Sequence, residues 1–477
     1  MNTSTKQIEN NKSFDSELNF IKEINSFDKC GIKIVGNENI NAYLSKNGAT
    51  FNLSINVDLI EEKDNAPAPL PFILDNETYE IKKVGNTYNG TSLKVGKSPE
   101  FTTRLDINSF ETKGFNKKSI FKAFYIVDLS GIKTFHDQFE TVTHQRNGRN
   151  YFYDCLRIEL NGKTYDVTQL KDEEKGFYVF ECLEEQTLED FSEVCFSIRQ
   201  AIGFITKLMV GDEEYVFDNS GKLYYSNYIR PTIKGMYSPI TTNPYSYLDI
   251  EEKIADHFWG KLTRISSDNL SNLVNKIHTE PEFSVAILVI LEATSVRSLL
   301  LIPSSFAVII EQLSKHLSVE ETGLESPITN KELKNKILEE LQDVIDNNSE
   351  HLGDEAIQKL KLRIKEINKP VNKRHLTNNE KLTRPFKQLG INLTLRDVLV
   401  IEHRNDLLHG NILLVTDENR DNKDIDLYMN YVSAKLFTLI SKLILKSIGY
   451  NGYVYNQAKY LEKFLKNETD EEYFELI

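Results

Sequence analysis

The sequence predicts a multidomain α+β fold: a mostly-β, sandwich-like N-terminal region, a small mixed α/β segment, and a C-terminal all-α helical bundle. Three observations carry this expectation. The chain has 477 residues, more than one ordinary core organises. Apolar residues recur with period two through its first third, the spacing of half-buried strands. From about Tyr247 the apolar spacing becomes helical. The expected organisation is a flexible tail over 1–15, a β-rich domain over 16–170, a mixed α+β segment and linker over 171–245, and an all-α domain over 246–477.

The elements follow in order. Residues 1–12 are polar and lack an apolar run, so no secretory signal is visible. Phe51, Leu53, Ile55, Val57 and Leu59 alternate with Asn52, Ser54, Asn56 and Asp58, which predicts a strand with one wet face. Leu156, Ile158 and Leu160 run into Asn161-Gly162, a pair suited to the positive φ angles of a tight hairpin turn. Spacing predicts a helix over 191–210 and then a hairpin that turns at Asp218-Asn219-Ser220-Gly221.

In the last part, Pro281 is placed to open a helix running through Ile302, and Ser304 or Ser305 to cap the next. Further helices are expected over 331–346 and 354–368. Thr394 and Asp397 have capping-box spacing, and a long helix over 425–448 has Gly449 at its end.

Bulk chemistry narrows the function. The formal charge is −14, so nothing draws the whole chain to nucleic acid or to an anionic membrane, and any RNA contact needs a local basic patch. Cys30, Cys155, Cys182 and Cys195 show no metal-ligand spacing, which fits a reducing cytoplasm without structural zinc. The apolar stretch 283–302 carries Glu292 and Arg297, the mark of a core helix and not of a membrane span.

Two motif fragments fail on spacing. Gly90 to Ser98 has one residue too many for a phosphate loop, and Pro99 blocks the helix that must follow. Asp417, Asn419 and Asp421 start a calcium loop that lacks its glycine and its final glutamate.

The informative stretch is Arg404-Asn405-Asp406-Leu407-Leu408-His409-Gly410. It resembles the HEPN superfamily, whose ribonucleases carry Arg and His separated by four to six residues near a helix end in a small helical bundle. Asn405 after the Arg and Gly410 after the His match the same pattern. A β-rich part ahead of such a domain is similar to the ApeA-like antiphage proteins. The resemblance implies a metal-independent endoribonuclease with Arg404, Asn405 and His409 as catalytic residues. It implies no cofactor, a homodimer that joins two motifs, a growth-arresting antiphage or toxin role, and an N-terminal region that senses a trigger. A second pair, Arg396 and His403, has six intervening residues but lacks the Asn and the Gly.

The residue types suit that chemistry. In RNA cleavage the 2′-hydroxyl attacks phosphorus and the 5′-oxygen leaves. Histidine, with an ordinary pKa of about 6.5, moves protons at cytosolic pH. Arginine stays charged and its planar fork fits phosphate oxygens. Over residues 359–396 eleven basic residues face two acidic ones, a local +9. Lys373, Arg374, Lys381, Arg384 and Lys387 are the expected RNA contacts, with His375 and Phe386 available to stack on bases. Glu292 and Arg297 could face the active centre or serve structure alone. Two other readings stay open at this point. One is a non-catalytic HEPN adaptor that binds nucleotide or RNA. The other is a protein-interaction scaffold in which Arg404 is a surface charge and His409 a helix-terminal histidine.

Overall fold

The structure, a computed structural model, describes residues 14–57, 71–92, 100–128, 134–146, 149–171, 175–247, 250–319, 324–325, 328–367, 371–372, 377–404, 422–462 and 471–477. The first helix, α1 (Asp15–Asn25), begins inside the expected tail, because Leu18, Ile21 and Ile24 form an apolar stripe that the core covers.

Six strands follow: β1 (Cys30–Ile34), β2 (Asn37–Asn47), β3 (Thr50–Val57), β4 (Pro71–Leu74), β5 (Glu77–Ser92) and β6 (Glu100–Thr112). They pair in the order β3-β2-β1-β4-β5-β6, and β6 then returns to β3, from Phe51↔Ile107 to Val57↔Phe101. The result is a closed six-stranded barrel and not a sandwich. Alternation alone does not separate the two, because each buries one face of every strand. The outer face of β3 is only partly wet: Ser54 is half-buried. Asn52 is buried and accepts hydrogen bonds from the Arg104 guanidinium at 2.8 and 3.0 Å. Gly90 lies in β5, and the remainder of its glycine-bounded stretch, 93–99, falls outside the described residues.

The far end of β6 leaves the barrel. Ser109 to Glu111 pair with a second set of strands, so β6 belongs to both. These are β7 (Lys122–Asp128), β8 (Val142–Arg146), β9 (Arg149–Leu160), β10 (Lys163–Lys171), β11 (Lys175–Cys182), β12 (Glu214–Phe217) and β13 (Leu223–Ser226). Their order from β6 is β13-β12-β7-β11-β10-β9-β8. The Asn161-Gly162 turn forms as expected, with φ of 53° and 73°. Alternate residues serve opposite faces. Phe124, Val179 and Tyr215 join the barrel and α1 in one core, whereas Ala123, Tyr125, Phe180 and Val216 face a helical layer in another.

Segment 171–245 is therefore shared between the layers. Its strands complete the sheet, and its helix, α2 (Leu188–Thr206), is buried in the helical core. That layer continues with α3 (Glu252–Phe258), α4 (Ser267–Thr279), α5 (Pro281–Val296), α6 (Leu301–Leu317), α7 (Lys331–Asn347), α8 (Asp354–Glu366), α9 (Asn378–Gln388), α10 (Leu395–Glu402) and α11 (Asn422–Ser447). The expected helix through Ile302 stops early, because Arg297 adopts a left-handed conformation with φ 54°. The next helix starts at Leu301, so Ser304 and Ser305 lie inside it and cap nothing. The C-terminal region is not purely helical: Tyr453–Tyr455 pairs with Phe474–Leu476, and Leu324–Glu325 with Val371–Asn372. Among the described residues no helix is long and apolar enough to cross a membrane.

Candidate functional site

The motif follows α10, so the anchoring of that helix sets the position of Arg404. Thr394 is the N-cap, and the expected capping box is complete. The Asp397 amide donates to the Thr394 hydroxyl, and the Thr394 amide donates to the Asp397 carboxylate, both at 3.0 Å. Asp397 does more than cap. It is fully buried, 2.8 Å from the ammonium of Lys435 and 3.7 Å from that of Lys442. These lysines are seven residues apart on α11, nearly on one stripe of the helix. Lys435 also reaches Glu471 at 2.7 Å, and Lys442 pairs with Glu475.

Burial alone pushes the Asp397 carboxyl up, but the two ammonium groups outweigh it and hold it below the usual range. Burial likewise opposes the charge on Lys435, yet Asp397, Glu475 and Glu471 raise its pKa well above the ordinary lysine value. Sequence reading missed this cluster. Its signal was present: two lysines seven apart within the mostly apolar stretch 434–445 of α11.

Arg404 stands one residue past the C-cap of α10, His403. Both are buried, so Arg404 is not a surface charge. Its Nη1 donates to Glu311 of α6 at 2.7 Å, and its Nε is enclosed and meets no hydrogen-bond partner among the described residues. Glu311 is more than half exposed. The guanidinium is thus walled in by protein but tethered on its open side to a carboxylate that water reaches. Asn405 and His409 lie outside the described residues, as do Lys373, Arg374, His375 and the acidic loop of Asp417, Asn419 and Asp421.

Helix α9 brings cations to the same end of α10. Asn379 in its first turn donates to Glu402 at 2.9 Å. Lys381 and Lys387 are exposed and Arg384 half-buried, within an arc of about 120° on the helix. Phe386 does not join them. It is fully buried beside Leu382 and Pro385, so the expected stacking on bases is excluded; the i, i+4 spacing of Leu382 and Phe386 marks a core stripe. The +9 count is also softened from outside the segment, since Lys359 pairs with Glu355 and Lys361 with Asp346, both at 2.7 Å. Glu292 and Arg297 are structural. Glu292 pairs with Arg230 at the surface, and Arg297 ends α5.

Chemically, the described part of the site offers a fixed cation with an unused N–H and a flanking basic helix. Such groups suit a phosphate. Among the described residues no group of three or more His, Cys, Asp or Glu is arranged to hold a metal ion. No family model, no curated protein and no solved structure matches the chain.

Proposed function

We propose that the chain is a metal-independent endoribonuclease of the HEPN type that arrests growth, with the β-rich half sensing the trigger. The observation that carries this is the enclosed Arg404 guanidinium with a free Nε at the end of a doubly anchored helix. In this reading Arg404 holds the phosphate oxygens as charge builds up, His409 transfers the proton, and Asn405 orients the nucleotide. Lys381, Arg384 and Lys387 guide RNA towards the cleft, and Lys373 and Arg374 remain expected RNA contacts from the sequence. The substrate is RNA, and no cofactor takes part.

The direct test is cleavage of total RNA by the purified protein in EDTA. Cleavage is expected to persist and to leave 2′,3′-cyclic phosphate ends, the product of 2′-hydroxyl attack. Activity that vanishes in chelator and returns with a divalent ion contradicts the reading. RNA bound but never cut, with or without metal, favours the adaptor.

The homodimer belongs to the same proposal. Arg404 and His409 would stand about 140° apart on a continuous helix, a poor arrangement for one copy alone. Leu395 and Leu399 on α10 are exposed apolar side chains, and so is Val308, one turn before Glu311 on α6. A two-fold axis beside them would cover this surface and bring two motifs into one cleft. Mixing wild type with excess His409→Ala protein is then expected to depress activity below simple dilution. An active monomer in sedimentation, unaffected by the mutant, rules out the shared cleft but leaves the ribonuclease reading intact.

A further inference from the structure

A cavity of about 990 Å³ opens between the first half of α2 and the sheet, where β6 passes from the barrel to β13. None of its lining residues belongs to α6 or α10, the helices that hold Glu311 and precede Arg404. Its volume is at the upper end of the range for small-molecule sites.

Its floor holds two buried charged groups. Arg199 of α2 is 4% exposed, and its guanidinium is packed over the ring of Tyr125 at 4.8 Å and that of Phe196 at 5.5 Å. Nη1 donates to the Val210 carbonyl at 3.1 Å, whereas Nε is buried and has no partner among the described residues. Glu214 of β12 is also buried and accepts from the Tyr125 hydroxyl at 3.1 Å. Burial pushes its carboxyl up against the opposing pull of Arg199. The two share the cavity yet form no direct ion pair with each other. A buried donor left open in this way is costly unless a ligand or water meets it.

The walls and mouth differ from the floor. Phe196 and Tyr224 supply ring surface, and Tyr228 stands 70% exposed at the opening with the Lys83 ammonium over its ring. Lys83, Lys117, Lys118 and Arg230 are exposed cations around the rim. Arg230 also pairs with Glu292 and Lys117 with Glu111, and Glu189 and Glu193 lie on the α2 side, so the open cationic side is that of Lys83 and Lys118. The floor therefore offers hydrogen-bonding partners for a polar ring, the walls offer stacking, and the rim offers cations for an anionic group.

We infer that this cavity binds a nucleotide, with the heterocycle inward against Arg199, Glu214 and the aromatic walls, and the phosphate at the lysine rim. A purely apolar ligand would leave the floor groups unmet, and a bare anion would leave the rings unused. The inference does not depend on the ribonuclease reading, because it uses none of the motif residues.

The test is calorimetric titration of the full-length protein with AMP, GMP, CMP and UMP, and with inorganic phosphate as control. Saturable binding of at least one nucleotide is expected, and phosphate at the same concentration should give no comparable signal. Lys117→Glu combined with Lys118→Glu changes only exposed side chains and should weaken binding about tenfold or more. Arg199→Met keeps the packed stem and removes the inward donors, and it should abolish binding. Should Arg199→Met fail to fold, the rim variant decides alone. Absence of binding by all four nucleotides overturns the inference, as does undiminished binding by the rim variant or phosphate binding as tightly as the nucleotides.

Discussion

Purified His409→Ala protein is expected to lose RNA cleavage by about 10²–10⁴-fold, the range for removing a positioned acid–base group. Arg404→Ala should lose about 10²–10³-fold, as when one preorganised donor to a developing anion is removed. The fold should survive both changes. The described anchoring of α10 is made by Thr394, Asp397, Lys435 and Lys442, none of which is changed. Arg404 pairs with Glu311, whose carboxylate is mostly in water and stays solvated when its partner goes. Arg404→Lys keeps the charge but loses the Nε donor and should remain strongly impaired. Arg396→Ala should be mild. Full cleavage by a folded His409→Ala protein sinks the assignment, and loss of activity in Arg396→Ala alone moves it to the Arg396/His403 pair.

Lys435→Met should destabilise the protein by about 3–5 kcal/mol, because it leaves buried carboxylates short of a counter-charge. Asp397 and Glu475 would keep only Lys442 of the two buried lysines, and Glu471 would lose its Lys435 contact. Lys435→Arg should cost less. The pH dependence gives a second readout. In the wild type the depressed Asp397 carboxyl adds stability that is full above its unfolded pKa of about 3.9 and is lost as pH falls through its lower folded value. The raised Lys435 adds stability that is full below about 10.4 and is lost as pH rises through its higher folded value. Between those limits the cluster's contribution is flat. In Lys435→Met, burial should dominate at Asp397, so stability should rise as pH is lowered from 7 towards 5. Urea titrations at three pH values read both effects. An unchanged midpoint in the variant would show that the cluster contributes nothing net.

Local chemistry made several elements legible from the sequence. Asn161-Gly162, Thr394 with Asp397, Pro281 and Gly449 each act within a few residues, so spacing was enough. The long helix α11 was legible for the same reason. Barrel closure was not, because it joins residues 51–57 to 101–107 and both strands alternate as a sandwich strand would. The buried ion cluster depends on α10, α11 and the C-terminal strand meeting, which no single periodicity encodes. At the candidate site, Arg404 was identified by its motif, but its partner Glu311 lies 93 residues away and carries no sequence mark. Phe386 was misread because its lysine neighbours suggested a binding face, although the stripe with Leu382 marked it as core.

An ordinary open sheet presents two borders where backbone donors and acceptors await another chain. Here the thirteen-stranded sheet curls one border back on itself through β3 and β6, so among its described strands only β8 lacks a second neighbour. Open borders are where β-proteins recruit copies of themselves and aggregate. The ribbon left available is five residues long, Val142–Arg146, and its sequence is polar and basic after the first valine. Such a ribbon is a poor template for self-association. Despite its many strands, this sheet therefore offers little unpaired backbone, among the described residues, from which a fibril could start.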